Sequence, residues 1–408
     1  MNTPQHVVII GGGLAGAKTA EALRTEGFTG QLTLLAAEPH VPYERPPLSK
    51  AYLASGAAFD DAAVHPQDWY RDNDVDLRLG TRATAIDAAA HQVRLADGTS
   101  TGYDKLVLAT GAVPRRLPLP GADAEGIHYL RTREDADAIR SRFGDGKRLA
   151  VIGGGWIGLE VAATARAAGT QVTVLVTAEL PLLGVLGPEL ARVFADLHQA
   201  HGVDLRLGAR IEAITTEAGT ASGVRLADGT TIETDAVVVG IGVAPDLTLA
   251  ESAGLKIDNG VLVDASLRSS DPDIFAVGDI ANHDHPVLGH RVRVEHWAAA
   301  LNQPATAAAA LLGKHVTYTA LPYFFTDQYD LGMEYLGHAP KDSYDKVAVR
   351  GDLARREFVA FWLGDNRIKA AMNVNVWDVI DQIKPLITAG TPIDTEKLVD
   401  PNVPYDML

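Results

Sequence analysis

The chain has 408 residues, more than one hydrophobic core usually serves, so we expect two or three domains. Hydrophobic residues make up 47% of the sequence and aromatic residues only 6%, a composition that favours packed α/β layers over a β-sandwich. The net charge of −16 argues against a nucleic-acid partner, whose phosphates the surface would repel, although a local basic patch could still bind an acidic protein.

Two further features of composition narrow the class. No apolar run approaches the roughly 18 to 20 residues of a membrane span, and a strand begins close to the N-terminus, so we expect a soluble, cytoplasmic protein. The chain has no cysteine, which excludes disulfides, thiolate metal sites and cysteine nucleophiles. The 13 histidines show no spacing typical of ligands, so no metal site is predicted.

An internal duplication organises the chain. Residues 7–16 read VVIIGGGLAG and residues 149–158 read LAVIGGGWIG, and each is followed by an Ala-rich helical stretch and a second apolar strand. This pattern predicts the βαβ unit of a dinucleotide-binding domain with a parallel sheet covered on both faces. The segment VRLADGT occurs at 93–99 and again at 224–230, and its Asp-Gly pair predicts a β-hairpin in each half. Two copies imply two dinucleotides.

Each copy carries GxGxxG between strand and helix. The glycines are Gly11, Gly13 and Gly16 in the first copy, and Gly153, Gly155 and Gly158 in the second. The first glycine allows the tight turn, the second lets the backbone approach a pyrophosphate, and the third lets helix and strand pack closely. The helix N-terminus then attracts the phosphates. Agreement of strand, helix and spacing in both copies disfavours the alternative that these turns are purely structural.

The acid that binds a ribose is expected at the end of the second strand of each copy. Glu38 is the candidate in the first copy, with a solvated strand-end carboxylate as the alternative. The second copy has Val176 there, with no acid before Glu179 and no neighbouring arginine. NAD is therefore favoured over NADP only because no arginine is present to bind a 2′-phosphate.

The composition changes from about Leu321. Aromatic residues cluster in PYFFTDQY, and three strand-like runs follow, KVAVRG, EFVAFWL and RIKAAMNVN, before one final helix. This pattern predicts a separate C-terminal α+β domain.

Six segments, taken in order, resemble the ferredoxin reductases of oxygenase systems, which serve bacterial cytochrome P450s and Rieske dioxygenases. They are residues 43–50, 106–115, 130–136, 151–165, 273–279 and 295–303. The resemblance places the chain in the pyridine nucleotide-disulfide oxidoreductase-like superfamily, in a branch without the redox disulfide. It implies an α/β fold with two Rossmann-like, glutathione-reductase-like domains plus the α+β domain. The implied domains are FAD-binding, 1–115 and 243–320; NAD(H)-binding, 116–242; and α+β, 321–408.

The resemblance also assigns roles to residues. Lys50, which follows a Pro-Pro-Leu-Ser turn, is placed beside the flavin ring, where its ammonium can stabilise negative charge. Glu160, in the first turn of its helix, is expected to pair with Lys50 near the nicotinamide, or else to be a carboxylate that the helix dipole favours. Asp279, where the DIFAVGD strand ends at Gly278, is expected to accept ribityl hydroxyls, or else to cap a helix.

Further contacts follow from the same resemblance. Arg45 and Arg131 are expected at the FAD pyrophosphate, with ordinary surface arginines as the alternative. Trp297 begins a helix that points at the flavin, or else fills a domain seam. The remaining implied FAD contacts are Leu14, Ala15, Ala83, Thr110, Gly111, Gly278, Glu295 and His296, and the remaining NAD contacts are Trp156, Ile157 and Gly242.

The absence of cysteine excludes several enzyme classes that share this architecture. Disulfide reductases need a redox cysteine pair, and the related peroxidases and oxidases need one reactive cysteine, so electrons must leave from the flavin itself. We predict hydride transfer from NADH to FAD, followed by single-electron transfer to a 2Fe–2S ferredoxin. Alternatives are a rubredoxin or quinone reductase, or a slow-turnover interaction protein in the manner of apoptosis-inducing factor.

Some expectations rest on weaker signals. The candidate docking cations for the ferredoxin are Lys314, Lys341, Arg355 and Arg356. We expect a monomer or a weak homodimer. Two departures from the family pattern are Val176 in place of an acid and Tyr323-Phe324-Phe325 in a stretch usually rich in Trp. The first concerns nicotinamide selectivity, and the second concerns the flavin face.

Overall fold

A computed structural model describes residues 4–55 and 58–408. The chain divides into two compact units. Unit 1 comprises Met1–Arg45, Ala58–Val113 and Ala244–Tyr323, and unit 2 comprises Pro46–Ala57, Pro114–Val243 and Phe324–Leu408. Unit 2 thus joins the region predicted to bind NAD(H) with the C-terminal region, and the three-domain division stays a prediction.

The strands, in chain order, are β1 (His6–Ile10), β2 (Gln31–Leu35), β3 (Val75–Arg78), β4 (Ala83–Asp87), β5 (Gln92–Leu95), β6 (Ser100–Gly102), β7 (Lys105–Leu108), β8 (Ala112–Pro114), β9 (Ile127–His128), β10 (Arg148–Ile152), β11 (Gln171–Val176), β12 (Asp204–Leu207), β13 (Ile211–Glu217), β14 (Thr220–Leu226), β15 (Thr231–Glu233), β16 (Ala236–Val239), β17 (Val243–Pro245), β18 (Val261–Val263), β19 (Ile274–Ala276), β20 (Ala281–His285), β21 (His290–Val292), β22 (Tyr323–Gln328), β23 (Leu331–Gly337), β24 (Lys346–Asp352), β25 (Glu357–Gly364) and β26 (Arg367–Val374).

The α-helices are α1 (Leu14–Thr25), α2 (Ala51–Ser55), α3 (Gln67–Asp72), α4 (Arg133–Arg140), α5 (Trp156–Ala167), α6 (Leu183–Leu186), α7 (Pro188–Ala200), α8 (Thr248–Ser252), α9 (Trp297–Leu311), α10 (Ile380–Ala389) and α11 (Thr395–Val399). Short 3₁₀ helices span Pro46–Ser49, Phe59–Ala62, Gly278–Ile280 and Tyr405–Met407.

Unit 1 is built on a five-stranded parallel sheet of order β19-β7-β1-β2-β3. Val7, Val8 and Ile9 of β1 are fully buried, as expected where successive side chains point to opposite faces and both faces are covered. Helices α1 and α9 pack against each other. The hairpin predicted from the first VRLADGT segment is confirmed by the antiparallel pairing of β5 with β6.

Unit 2 repeats this plan with a parallel sheet of order β12-β11-β10-β16-β9. The second VRLADGT hairpin is confirmed by β14 and β15. The C-terminal strands form a five-stranded sheet of order β22-β23-β26-β25-β24, in which Phe358, Phe361 and Trp362 of β25 are fully buried. The three predicted strand-like runs match β24, β25 and β26.

Three local predictions need correction. The DIFAVGD strand ends at Ala276, and Gly278–Ile280 forms a 3₁₀ turn instead, because Gly278 has φ +74° and leaves the extended region. Asp279 lies within that turn and does not cap an α-helix. The C-terminal region has two α-helices instead of one, since Gly390, in the left-handed conformation, ends α10 before Asp394 caps α11.

Across residues 4–55 and 58–408, the helices are all too short or too polar to cross a membrane.

Candidate functional site

The first glycine motif lies in unit 1 between β1 and α1. Gly11 has φ +126°, and a Cβ there would lie 2.1 Å from the carbonyl oxygen of Ala109. A Cβ at Gly16 would lie 1.9 Å from the carbonyl oxygen of Gly11. Gly13, the N-cap of α1, has no described atom within 4 Å of its Cβ position. The turn is therefore closed at its first and third glycines and open at its second. We call this turn the first cradle, because its open side lets a pyrophosphate reach the amides at the start of the helix.

The second glycine motif, between β10 and α5 in unit 2, has the same geometry. Gly153 has φ +116°, and its Cβ would lie 2.2 Å from the carbonyl oxygen of Gly240. A Cβ at Gly158 would lie 2.6 Å from the carbonyl oxygen of Gly153. At Gly155, the N-cap of α5, the nearest described atom to the Cβ position is 3.9 Å away. This turn, the second cradle, is therefore also open at the start of a helix.

Glu38, predicted to bind a ribose, lies beside Arg45, predicted to bind the FAD pyrophosphate. Arg45 Nη2 lies 2.8 Å from Glu38 Oε1, and the Tyr43 hydroxyl donates to Glu38 Oε2 over 2.5 Å. The Arg45 guanidinium also lies over the Tyr43 ring, 5.2 Å from its centre. A carboxylate offers about four lone-pair sites, so Glu38 keeps acceptor capacity beyond these two donors. The roles of Glu38 and Arg45 toward a cofactor stay predictions.

Several other residues predicted to contact FAD lie close together in unit 1. Gly278 lies against the first turn of α1, since a Cβ there would be 3.1 Å from the Ala15 Cβ, and its amide donates to Gln303 over 2.7 Å. The 3₁₀ turn that holds Asp279 is therefore fixed near the first cradle. Ala83 lies on β4, opposite Leu95.

The other residues of unit 1 that are predicted to contact FAD lie at three places. The Thr110 hydroxyl donates to the carbonyl oxygen of Asp246 over 3.1 Å, and Gly111 has φ +70°. At the start of α9, the Trp297 indole donates to Glu44 over 3.0 Å, Arg293 pairs with Glu295 at 2.6 Å, and His296 is the N-cap residue. Leu14 is buried in the first turn of α1.

A largely buried ion pair joins Lys50 and Glu160 in unit 2. Lys50 Nζ lies 2.8 Å from Glu160 Oε1, which confirms the pairing predicted from the sequence. Glu160 is the fifth residue of α5, so it lies past the first turn where the sequence placed it. Its side chain is only 5% exposed, so Glu160 is a buried carboxylate paired with Lys50 and not a solvated one at the helix N-terminus.

Sequence reasoning missed two further donors to this carboxylate. The Ser49 hydroxyl donates to Glu160 Oε2 over 2.5 Å, and the Thr326 hydroxyl donates to Oε1 over 2.6 Å. Lys50 also lies over the Phe325 ring, 5.3 Å from its centre. Burial raises the pKa of the Asp327 carboxyl on the same strand, and the nearby Lys50 charge partly offsets this. The group is thus a buried anion surrounded by donors.

Residues predicted to contact NAD lie around the second cradle. Trp156 packs between Phe194 and Phe324, with ring centres 5.4 and 5.2 Å away, while Ile157 is 44% exposed although it is apolar. Gly242 has φ +92° and lies beside Arg115. Arg131, predicted at the FAD pyrophosphate, belongs to unit 2, where its amide donates to Asp135 over 3.0 Å, and its role toward FAD stays a prediction.

The end of β11 carries no charged group to select a nucleotide. Val176 is buried, and its methyl carbons lie 2.9 Å from the position that a Cβ on Gly154 would take. The packing of this strand end on the glycine turn is therefore apolar, and it offers neither a carboxylate to a ribose nor a cation to a phosphate.

Three of the four candidate docking cations already have acidic neighbours. Lys314 pairs with Glu26, and Arg356 Nη2 lies 2.9 Å from Asp330. Arg355 lies 4.0 Å from Glu357, at the outer limit of an ion pair. The fourth, Lys341, is exposed. A docking role for these cations stays a prediction.

Comparison with known proteins identifies the class. Residues 5–304 match the family model for pyridine nucleotide-disulphide oxidoreductases, and residues 323–407 match a reductase C-terminal domain. The chain belongs to the pyridine nucleotide-disulphide oxidoreductase family. Members of this family use FAD and NAD(H), and the two open glycine cradles fit two such dinucleotides.

Individual relatives match over almost the whole chain. The ferredoxin–NAD(+) reductase component of the anthranilate 1,2-dioxygenase system of Burkholderia cepacia is 44% identical, over 97% of each chain. Putidaredoxin reductase of Pseudomonas putida is 40% identical, over 99% of this chain and 96% of the relative. The solved covalent putidaredoxin reductase–putidaredoxin complex has a chain that matches with a TM-score of 0.95 at 40% identity, covering 99% of this chain and 98% of that one. The resemblance and the fold class predicted from the sequence are confirmed.

Proposed function

We propose that this protein is an NADH-dependent ferredoxin reductase, which passes electrons from NADH through FAD to a 2Fe–2S ferredoxin serving a cytochrome P450 or a Rieske oxygenase. The observation that carries the proposal is the pair of glycine cradles, each open at its second glycine, in a chain without cysteine. Two dinucleotides can bind, and no thiol is present to receive electrons from one of them.

Bound FAD would supply the redox chemistry, because a flavin can take up two electrons from NADH and give them up one at a time. The chain supplies position and electrostatics. The start of α1 would hold the FAD pyrophosphate and the start of α5 that of NADH, because both present free amides at an open glycine. We assign Lys50 to stabilising negative charge on the ring, and Glu160 to holding the Lys50 ammonium in one place.

The nature of the acceptor rests on the relatives. The anthranilate dioxygenase component is named for ferredoxin, and the solved complex contains putidaredoxin joined to its reductase. Both match this chain over nearly its full length, so the same class of acceptor is proposed here. NADH is produced and used in the cytoplasm, and we therefore place the protein there.

The test compares acceptors under one set of conditions. The FAD-loaded protein is given NADH and, in separate reactions, a 2Fe–2S ferredoxin, a rubredoxin or a quinone, and the reduction of each is followed by its absorbance. We expect the ferredoxin to be reduced with the highest kcat/KM. Preferential reduction of rubredoxin or quinone would keep the reductase class but overturn the acceptor. Failure of all three, with NADH bleaching the flavin slowly, would favour an interaction protein instead.

A further inference from the structure

Behind Glu160 lies a line of buried polar side chains that the proposed reaction does not yet use. Thr326 and Gln328 lie on the same face of β22, and His198 lies on α7. Their exposed fractions are 0%, 1% and 0%. Gln328 Nε2 lies 3.2 Å from the Thr326 hydroxyl oxygen, and His198 Nε2 lies 2.9 Å from Gln328 Oε1. Together with Thr326 and Glu160, these contacts make one continuous chain of hydrogen bonds.

The chemistry of each group fixes the direction of this chain. The Thr326 hydroxyl donates to Glu160 Oε1, the same oxygen that Lys50 contacts, so the single hydroxyl hydrogen of Thr326 points to that carboxylate. The Thr326 oxygen must then accept from the amide nitrogen of Gln328, which leaves the Gln328 carbonyl oxygen to accept from His198. His198 therefore carries its proton on Nε2. Burial lowers its pKa to about 4, consistent with a neutral ring.

Every hydrogen in the chain thus points toward Glu160. Glu160 accepts from Lys50, Ser49 and Thr326, and these three donors fix the position of its carboxylate group. Across the described residues, His198 Nδ1 has no partner, so the chain ends there. A side-chain amide does not relay protons as a hydroxyl or an imidazole does, so this line is suited to fixing an anion and not to conducting a proton.

We propose that Thr326 is a positioning residue, which holds the Glu160 carboxylate in the rotamer that pairs with Lys50. Gln328 and His198 set the direction of the Thr326 hydroxyl. This inference rests on the proposed function, in which Lys50 and Glu160 act on the bound cofactors. A purely structural role would instead require Thr326 to fill space in β22, which valine would do equally well.

The experiment compares Thr326→Val with Thr326→Ser in the FAD-loaded full chain. Valine keeps the shape and the strand preference of threonine but removes the hydroxyl, whereas serine keeps the hydroxyl. Both changes are also made in a Glu160→Gln background. The readouts are the rate of flavin reduction at saturating NADH, the Kd for NADH, the FAD content and the thermal unfolding midpoint.

We expect Thr326→Val to slow flavin reduction by about tenfold or more, the usual effect of losing a hydrogen bond to a charged group, with FAD content unchanged. Thr326→Ser should stay within about twofold of the parent, and Thr326→Val should add little in the Glu160→Gln background. Equal effects of valine and serine, no effect of valine, or an unchanged valine effect in the Glu160→Gln background would overturn the inference.

The two proposals fail in different ways. If Glu160→Gln itself leaves flavin reduction unchanged, or the parent is not reduced by NADH, the role assigned to Glu160 is wrong. The contact between Thr326 and Glu160 is then tested by the unfolding midpoints of Thr326→Val, Glu160→Gln and the double variant. If the effects of the two single changes do not add up in the double variant, the positioning contact is supported; if they add up, it is overturned.

Discussion

Lys50 and Glu160 lie 110 residues apart in the sequence, yet their side chains form an ion pair with 2.8 Å between Nζ and Oε1. The 3₁₀ turn Pro46–Ser49 presents Lys50, and the second turn of α5 presents Glu160. Because Lys50 is 17% exposed and Glu160 5% exposed, neither charge can recover much hydration if the other is removed. The stability of unit 2 is therefore coupled to this pair.

Replacing Lys50 by methionine should lower the free energy of unfolding by about 3 kcal/mol, because it leaves Glu160 buried without its cation. Chemical denaturation of the purified protein measures this. The double variant Lys50→Met/Glu160→Gln should recover most of the loss, because no unpaired charge remains. A single variant as stable as the parent, or a double variant no better than the single, would show that the pair is not energetically coupled.

Replacing the open glycines by alanine should separate cofactor binding from folding. A Cβ at Gly13 meets no described atom within 4 Å, so Gly13→Ala should fold but bind FAD at least about tenfold more weakly, because the methyl group occupies the approach to the pyrophosphate. Gly155→Ala should likewise raise the Kd for NADH while leaving FAD content unchanged. Equilibrium titration with each dinucleotide measures both effects.

Gly11→Ala is the contrast to those changes. Gly11 has φ +126°, and its Cβ would lie 2.1 Å from a carbonyl oxygen, so this variant should lose folded protein as well as FAD. Normal FAD affinity in Gly13→Ala would contradict the assignment of the first cradle, even if Gly11→Ala behaved as expected.

His198 should make the protein less stable in mild acid. Burial lowers its pKa from 6.5 in the unfolded chain to about 4. The free energy of unfolding is therefore unaffected by His198 above pH 6.5 and decreases as the pH falls toward 4, because the unfolded chain binds a proton that the folded chain does not. At pH 5 this linkage costs about 2 kcal/mol. Thermal unfolding of His198→Gln between pH 7 and pH 5 should show a smaller loss than the parent, whereas His315→Gln, at an exposed histidine, should match the parent. Parallel pH profiles for parent and His198→Gln would refute this.

Val176 should set how strongly the protein distinguishes NADH from NADPH. We expect the parent to prefer NADH modestly, since the end of β11 has no cation for the 2′-phosphate. Val176→Glu should widen the preference by about tenfold or more, because a carboxylate accepts from the ribose hydroxyl and repels the phosphate. Val176→Gln is the neutral control of the same size. The rates of flavin reduction by the two nucleotides give the ratio, and a faster reaction with NADPH in the parent would overturn the expected preference.

Much of this architecture is predictable because its signals are local. The strand, glycine turn and helix of each copy are contiguous, and the Asp-Gly pairs lie directly between the strands they join. Gly11 and Gly153 are required by backbone contacts one strand away, which the motif already encodes. The pairing of Lys50 with Glu160 is not local, and only the family resemblance predicts it.

The polar line behind Glu160 was not predicted, because it joins α5, α7 and β22 across more than a hundred residues. A signal was nevertheless present in the sequence. Thr326 and Gln328 stand at alternate positions of a strand, so they share one face, and two polar side chains on a buried face require partners. Nothing local to the DIFAVGD segment predicts that Gly278 turns the chain two residues after β19 ends.

The most direct test of the proposed electron path is a single-turnover reaction under anaerobic conditions. The FAD-loaded protein is mixed with one equivalent of NADH and then with an oxidised 2Fe–2S ferredoxin, and the absorbance of both chromophores is followed. We predict rapid loss of flavin absorbance, followed by its return as two equivalents of ferredoxin are reduced. A flavin that NADH does not reduce, or a reduced flavin that the ferredoxin does not reoxidise, would contradict the proposed function.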